Sequence, residues 1–188
     1  MSEGGSASLI NRRAVLGGAL GGLAATAAAP GAWGLAAGAS GGDSKQLVVL
    51  LGAERRLSAT YRRVLAAGVL NVVVAAEVSG FAAQEREHIG ALERELLLRG
   101  AHPQPQAPIP PTAAVPLETQ ADALGLLLAA ENMAETAYLG AMAKLQDPGL
   151  VRLAAEILAS EAQHWTLLRV LQAPQDLAGA SPVAFVTP

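Results

Sequence analysis

The chain has 188 residues, enough for one domain with a sizeable buried core. Apolar residues make up 52% and aromatics only 3%, so that core must be built from Ala, Leu and Val, a composition that favours helices. A net charge of −3 gives no basis for a nucleic-acid partner, and the absence of cysteine excludes disulfides, iron–sulfur clusters and thiolate zinc sites.

Residues 1–39 read as an address rather than as part of the fold. Arg12 and Arg13 stand directly before a Gly/Ala/Leu run over residues 14–29, and Ala37-Gly38-Ala39 offers a small-residue cleavage site before Ser40. A twin arginine followed by a weak, glycine-rich apolar run resembles a Tat export signal, although Val15 stands where Phe is more usual. The other reading is a retained anchor. Against it, Pro30 and the glycines interrupt a run that falls short of the ~20 strongly apolar residues a stable span needs, so no membrane span is expected in the mature form. The expectation is export to the periplasm, the cell envelope or the medium.

The bundle itself is expected over residues 40–172, with 173–188 as a Pro/Gly-punctuated tail. After a flexible joint at Gly41 and Gly42, Asp43 or Ser44 can cap a first helix that runs to about Ala67 and stops at Gly68. A second helix is predicted from about Asn71 to Arg99, ended by Gly100. Pro103, Pro105, Pro108, Pro110, Pro111 and Pro116 then forbid any regular element. A third helix is predicted from about Thr119 to Gln146. Asp147-Pro148 is a cap followed by proline at the first helical position, and opens a fourth helix to about Leu171. The architecture predicted is all-α: an antiparallel four-helix bundle with one long crossover between helices 2 and 3.

The chemistry lies in a repeat. Glu85-Arg86-Glu87-His88 and Glu161-Ala162-Gln163-His164 both read Glu-x-x-His, a spacing that puts carboxylate and imidazole on one helix face. Upstream of each stands a lone glutamate, Glu54 and Glu131, each followed seven residues later by a tyrosine, Tyr61 and Tyr138. The offset from lone to paired glutamate is 31 residues in the first half and 30 in the second. Two related helical hairpins would gather four carboxylates and two imidazoles inside the bundle. Four negative charges balance two divalent cations, and without compensation their burial is very costly. Oxygen and imidazole donors suit Fe, Mn or Zn better than Cu(I).

These residues, at these offsets, resemble the ferritin-like, rubrerythrin-type di-iron carboxylate superfamily, over about residues 44–171. Within it, the chain is most similar to Tat-exported bacterial ferritin-like proteins. The resemblance implies six metal ligands: Glu54, Glu85, His88, Glu131, Glu161 and His164. Glu85 and Glu161 would bridge two irons, with manganese as the alternative metal, while Glu54 and Glu131 would be terminal. Tyr61 and Tyr138 would support catalysis by hydrogen-bonding across to ligand carboxylates, or else are core residues with a polar tip. Rubrerythrins carry a further carboxylate where this chain has Ala134, and a cysteine-rich electron-transfer module that is absent here. No candidate exists for ferritin's fifth helix, which argues against a 24-subunit iron store.

The activity implied is oxidation of Fe(II) or reduction of O2 or peroxide, with those small molecules as partners and a homodimer as a candidate assembly. The alternatives are a stress protein that sequesters metal without turnover, and a structural bundle with a vestigial site. Glu135, one turn beyond Glu131, is the rival ligand on the third helix. Glu77 is expected to be interfacial or solvated, Trp165 to be packing or contact surface, and His102 to be exposed.

Overall fold

The computed structural model describes residues 40–103 and 116–173. The expected signal, most of the proline-rich connection and the tail beyond Ala173 lie outside the described residues. Within them are four helices and no strand: α1 (Ser40–Ala67), α2 (Val72–Leu98), α3 (Gln120–Met142) and α4 (Pro148–Gln172). None of these helices is long and apolar enough to cross a membrane.

Local chemistry sets most of the ends. Gly68 sits at φ +67° and stops α1 where a side chain would be strained. The Asn71 carboxamide accepts from the amides of Val73 and Val74, 3.0 Å each, and starts α2. At the far end Gly100 takes φ +70°, its amide bonds Leu97 O at 2.9 Å, and that of Ala101 reaches Leu96 O at 3.0 Å. That pair of bonds is the glycine-dependent Schellman stop. Thr119 and Asp122 cap α3 reciprocally, at 3.1 and 2.8 Å. Asp147 accepts from Gly149 N at 2.8 Å ahead of Pro148.

Two expectations about ends are corrected. α1 starts at Ser40 and runs through Gly41 and Gly42, so these are not a joint, and neither Asp43 nor Ser44 is its cap. α3 stops at Met142, short of Gln146. A contact of Asp43 accounts for the early stop of α3. Asp43 is buried, and its carboxylate accepts from Gln146 N at 2.9 Å and Asp147 N at 3.1 Å. The Gln146 amide that would extend α3 is thus taken by a side chain from α1.

α1 packs on α2 and on α3, and α3 packs on α4, while the α2 and α4 backbones approach each other much more loosely than these pairs do. Residues 54 and 138 pair across α1 and α3, as do 61 and 131, so those helices run antiparallel. The pairs 84 with 164 and 88 with 161 show the same for α2 and α4. The core is divided in two. Leu57, Val64, Val78, Phe81, Leu127 and Leu168 belong to one apolar cluster. Leu47, Leu50, Leu92, Leu96, Leu150 and Ile157 belong to the other. On α1, α2 and α4 the glutamates of the repeat fall between the two, and on α3 Glu131 lies at the inner end of the first, two turns before Tyr138 of the second.

Replacing Asp43 by Ala strands two amides, and should lower unfolding free energy by about 1–3 kcal/mol. Ser44→Ala, which removes no cap, should stay within about 0.5 kcal/mol. Urea midpoints of the two variants check this.

Candidate metal centre

Each helix adds its share of donors at one level of the bundle: Glu54 from α1, Glu85 and His88 from α2, Glu131 from α3, Glu161 and His164 from α4. Glu54, Glu85, Glu131 and Glu161 have no exposed surface at all. His88 Nδ1 stands 2.8 Å from Glu161 Oε1, 3.7 Å from Glu54 Oε2 and 3.8 Å from Glu85 Oε2. His164 Nδ1 mirrors it, 3.0 Å from Glu85 Oε1 and 3.7 Å from both Glu131 Oε1 and Glu161 Oε2. The imidazoles lie 6.3 Å apart, centroid to centroid, with planes inclined by 22°.

These short distances are not hydrogen bonds. Eight buried atoms of the six residues have no hydrogen-bond partner: both oxygens of Glu85 and Glu161, Oε2 of Glu54 and Glu131, and Nδ1 of both histidines. Atoms this close that do not aim at one another leave their lone pairs for something else. They sort into two sets of four, each with its donor atoms within 4.8 Å of one another: Glu54, Glu85, His88 and Glu161, then Glu85, Glu131, Glu161 and His164. Glu85 and Glu161 belong to both.

The tyrosines complete the division of roles. Tyr138 donates to Glu54 Oε1 at 2.5 Å, and Tyr61 donates to Glu131 Oε1. Each lone glutamate thus has one oxygen engaged and one free, while each shared glutamate has both free. That suits terminal and bridging ligands respectively. Burial and the adjacent carboxylates push both phenols well above their ordinary range, so both stay protonated as donors.

With no cation among them, protons balance the carboxylates. Burial raises Glu54 to about 8, helped by Glu161 and Glu85, and it raises Glu131 well above its usual range. Burial alone would lower the imidazoles. The carboxylates around them win: Glu161, Glu54 and Glu85 bring His88 up to about 12, and Glu161 and Glu85 bring His164 to about 9. Burial works against ionised Glu161 too, yet the two imidazoles bring it down to about 2. The donor set fits a pair of divalent cations: hard oxygens, two imidazoles, orphaned lone pairs and surplus negative charge.

Other residues fall as follows. Glu135 is buried with Oε1 unpartnered and is raised to about 7, by burial first and Glu161 second. It belongs to neither set of four, whereas Glu131 belongs to one. Glu77 and His102 are exposed, and Trp165 is half-buried with the Arg169 guanidinium 5.8 Å from its ring. Two residues that sequence reasoning missed support His164. The Gln84 carbonyl lies 2.6 Å from its Nε2, and the Phe81 ring stacks on it at 4.7 Å. Both contacts cross from α2 to α4, and no local pattern announces them.

The folded state holds extra protons on Glu54, Glu131, His88 and His164. Their stabilisation is complete below the unfolded values and is lost as pH rises through the folded ones. For Glu54 that window is 4.5 to about 8, for His164 6.5 to about 9, and for His88 6.5 to about 12. Chelator-treated protein should therefore have a lower urea midpoint at pH 9 than at pH 6.

Comparison with known proteins agrees with this fold. The model of a family described as ferritin-like domain matches residues 42–174. Among solved structures, the chain is similar to ferritin-like, diiron-carboxylate proteins from Bacillus anthracis str. Ames, with a TM-score of 0.60 and 18% identity. That match covers 72% of this chain and 98% of the other, and at such identity it speaks for the fold alone. No curated protein matches the chain. With the family model spanning most of the chain, and four helices holding carboxylates and imidazoles at one level, this protein belongs to the ferritin-like domain family.

Proposed function

We propose that Glu54, Glu85, His88, Glu131, Glu161 and His164 hold two metal ions, irons in the first instance with manganese as the alternative. On this reading the protein oxidises Fe(II) or reduces O2 or peroxide. One observation carries the site: eight fully buried donor atoms, in two overlapping sets, have no hydrogen-bond partner. Native interiors leave very few buried polar atoms unsatisfied, and each calls for a reason. The redox assignment rests on the likeness to a diiron-carboxylate protein and on the donor set.

When bound, a pair of irons supplies one-electron changes at two adjacent centres, which suits reactions with O2 or peroxide. The chain supplies the rest. Glu85 and Glu161, with all four oxygens free, reach both positions. Glu54 and Glu131 offer one oxygen each, their other oxygen being fixed by Tyr138 and Tyr61. The apolar clusters at either end keep bulk water from the layer. A bound metal pair would compete with the protons on the imidazoles and on Glu54 and Glu131, so affinity should rise with pH.

We propose also that residues 1–39 direct export as a Tat signal, placing residues 40–172 as the mature bundle in the periplasm, the cell envelope or the medium. The twin arginine supports this reading. Folding before export suits a protein whose site needs its metal correctly inserted.

Anaerobic loading with Fe(II) should give about two irons per chain, and far less in the His88→Ala, His164→Ala double variant. The loaded protein should melt higher than the metal-free form. Admitting O2 or peroxide then separates turnover from storage: repeated consumption of oxidant with Fe(II) supports the enzyme, whereas a single stoichiometric event supports sequestration. For export, replacing Arg12 and Arg13 with Lys should leave the protein inside cells competent in Tat transport. Fractionation with an antibody to the mature bundle reads the result.

A further inference from the structure

Resting on the dinuclear reading, we infer that the two metal positions exchange unequally: the ion beside His88 enters and leaves first, while Gln84 locks the ion beside His164. The inner donors cannot explain a difference. Each position has the same two shared glutamates, one lone glutamate steadied by a tyrosine, and one imidazole Nδ1.

The outer sides of the imidazoles differ. At His164, Nε2 is 2.6 Å from Gln84 Oε1. An amide oxygen only accepts, so Nε2 carries a proton and donates, which leaves Nδ1 as the nitrogen that would give up its proton and turn its lone pair to a metal among the carboxylates. Phe81 covers the ring face at 4.7 Å, and the side chain is 2% exposed. His88 has no hydrogen bond at Nε2 among the described residues, and its side chain is 13% exposed. One imidazole is pinned on its edge and its face. The other is free to swing outward.

The internal repeat gives the cause. Gln84 precedes Glu85 as Ser160 precedes Glu161, and Phe81 stands four residues before Glu85 as Ile157 stands before Glu161. A glutamine on α2 reaches across to the histidine of α4. A serine in the same slot on α4 is too short to return the contact, and its hydroxyl lies 3.5 Å from the Gln84 carbonyl instead. The two halves match at all six donors and diverge at the two positions behind the histidines, and also at Glu135, which lies outside both sets of four and stands where the first half has Ser58. Dissociation of a bound ion requires ligands to turn away from it, and an unsupported imidazole turns away more readily. Removing such outer partners typically costs 10–100-fold in metal affinity.

The test uses full-length protein loaded with two equivalents of Co(II), challenged with excess EDTA and followed by cobalt retained per chain. One ion should leave quickly and the second at least about 10-fold more slowly. Gln84→Ser should abolish the slow phase, and Ser160→Gln should slow the fast one. Gln84 is exposed and Ser160 only half-buried, so neither change threatens folding. His88→Ala should keep the slow ion, and His164→Ala the fast one.

Two ions leaving wild type at one rate, or a slow phase indifferent to Gln84→Ser, would overturn the inference while leaving the dinuclear site intact. Slowing of the fast phase by Glu135→Gln instead of Ser160→Gln would move the exit to Glu135, and would overturn it too. No cobalt bound to wild type would remove the dinuclear reading itself.

Discussion

Four carboxylates without exposed surface, at one level of a helical bundle, set the terms for the rest of this structure. Burying one ion costs several kcal/mol even after relaxation, and four of like sign repel as well. Two imidazoles and two phenols do not cancel four charges. The metal-free protein balances the remainder with protons, which is why Glu54 and Glu131 are pushed upward while both histidines stay charged. A pair of divalent cations would replace those protons with positive charge in the same space.

The apolar part of the fold makes that cost tolerable. One leucine-rich cluster lies on each side of the polar layer, and every helix contributes to both. The layer is therefore clamped along its length by residues whose burial stabilises the bundle whatever the layer contains. Tyr61 and Tyr138 belong to these clusters by their rings and to the layer by their hydroxyls. They link the packing to the donor geometry: a shift of either ring moves the lone glutamate's carboxylate that it holds. The α2 and α4 backbones approach only loosely, and the two Glu-x-x-His motifs project into the space between them.

What the sequence revealed follows from how local the physics is. Asn71, Thr119, Asp147, Gly68 and Gly100 act within a few residues of themselves, and the ends they mark fall where their chemistry puts them. The six donors were legible for another reason. The repeat displays them twice at matching offsets, so one half vouches for the other. The Asp43 contact was not legible, because the carboxylate serves amides more than a hundred residues away. Gln84 sits in a run of polar residues that looks like any solvated helix face, and only the approach of α4 gives it a partner. The separation of shared from lone glutamates also needs atoms: it shows in which oxygens the tyrosines occupy.

The repeat carries a further lesson about where two halves of one bundle are free to differ. Inside, Glu85 and Glu161 answer to both sets of donors, because they are shared. A change in either would unbalance charge at two places at once. Outside, the residues behind the histidines answer to one position only. Gln84 and Ser160 therefore diverge without disturbing the charge balance that the fold depends on. A bundle made of two like hairpins acquires unequal ends most easily at this outer shell, where a side chain of different length changes how firmly one ligand is held while every ligand stays the same.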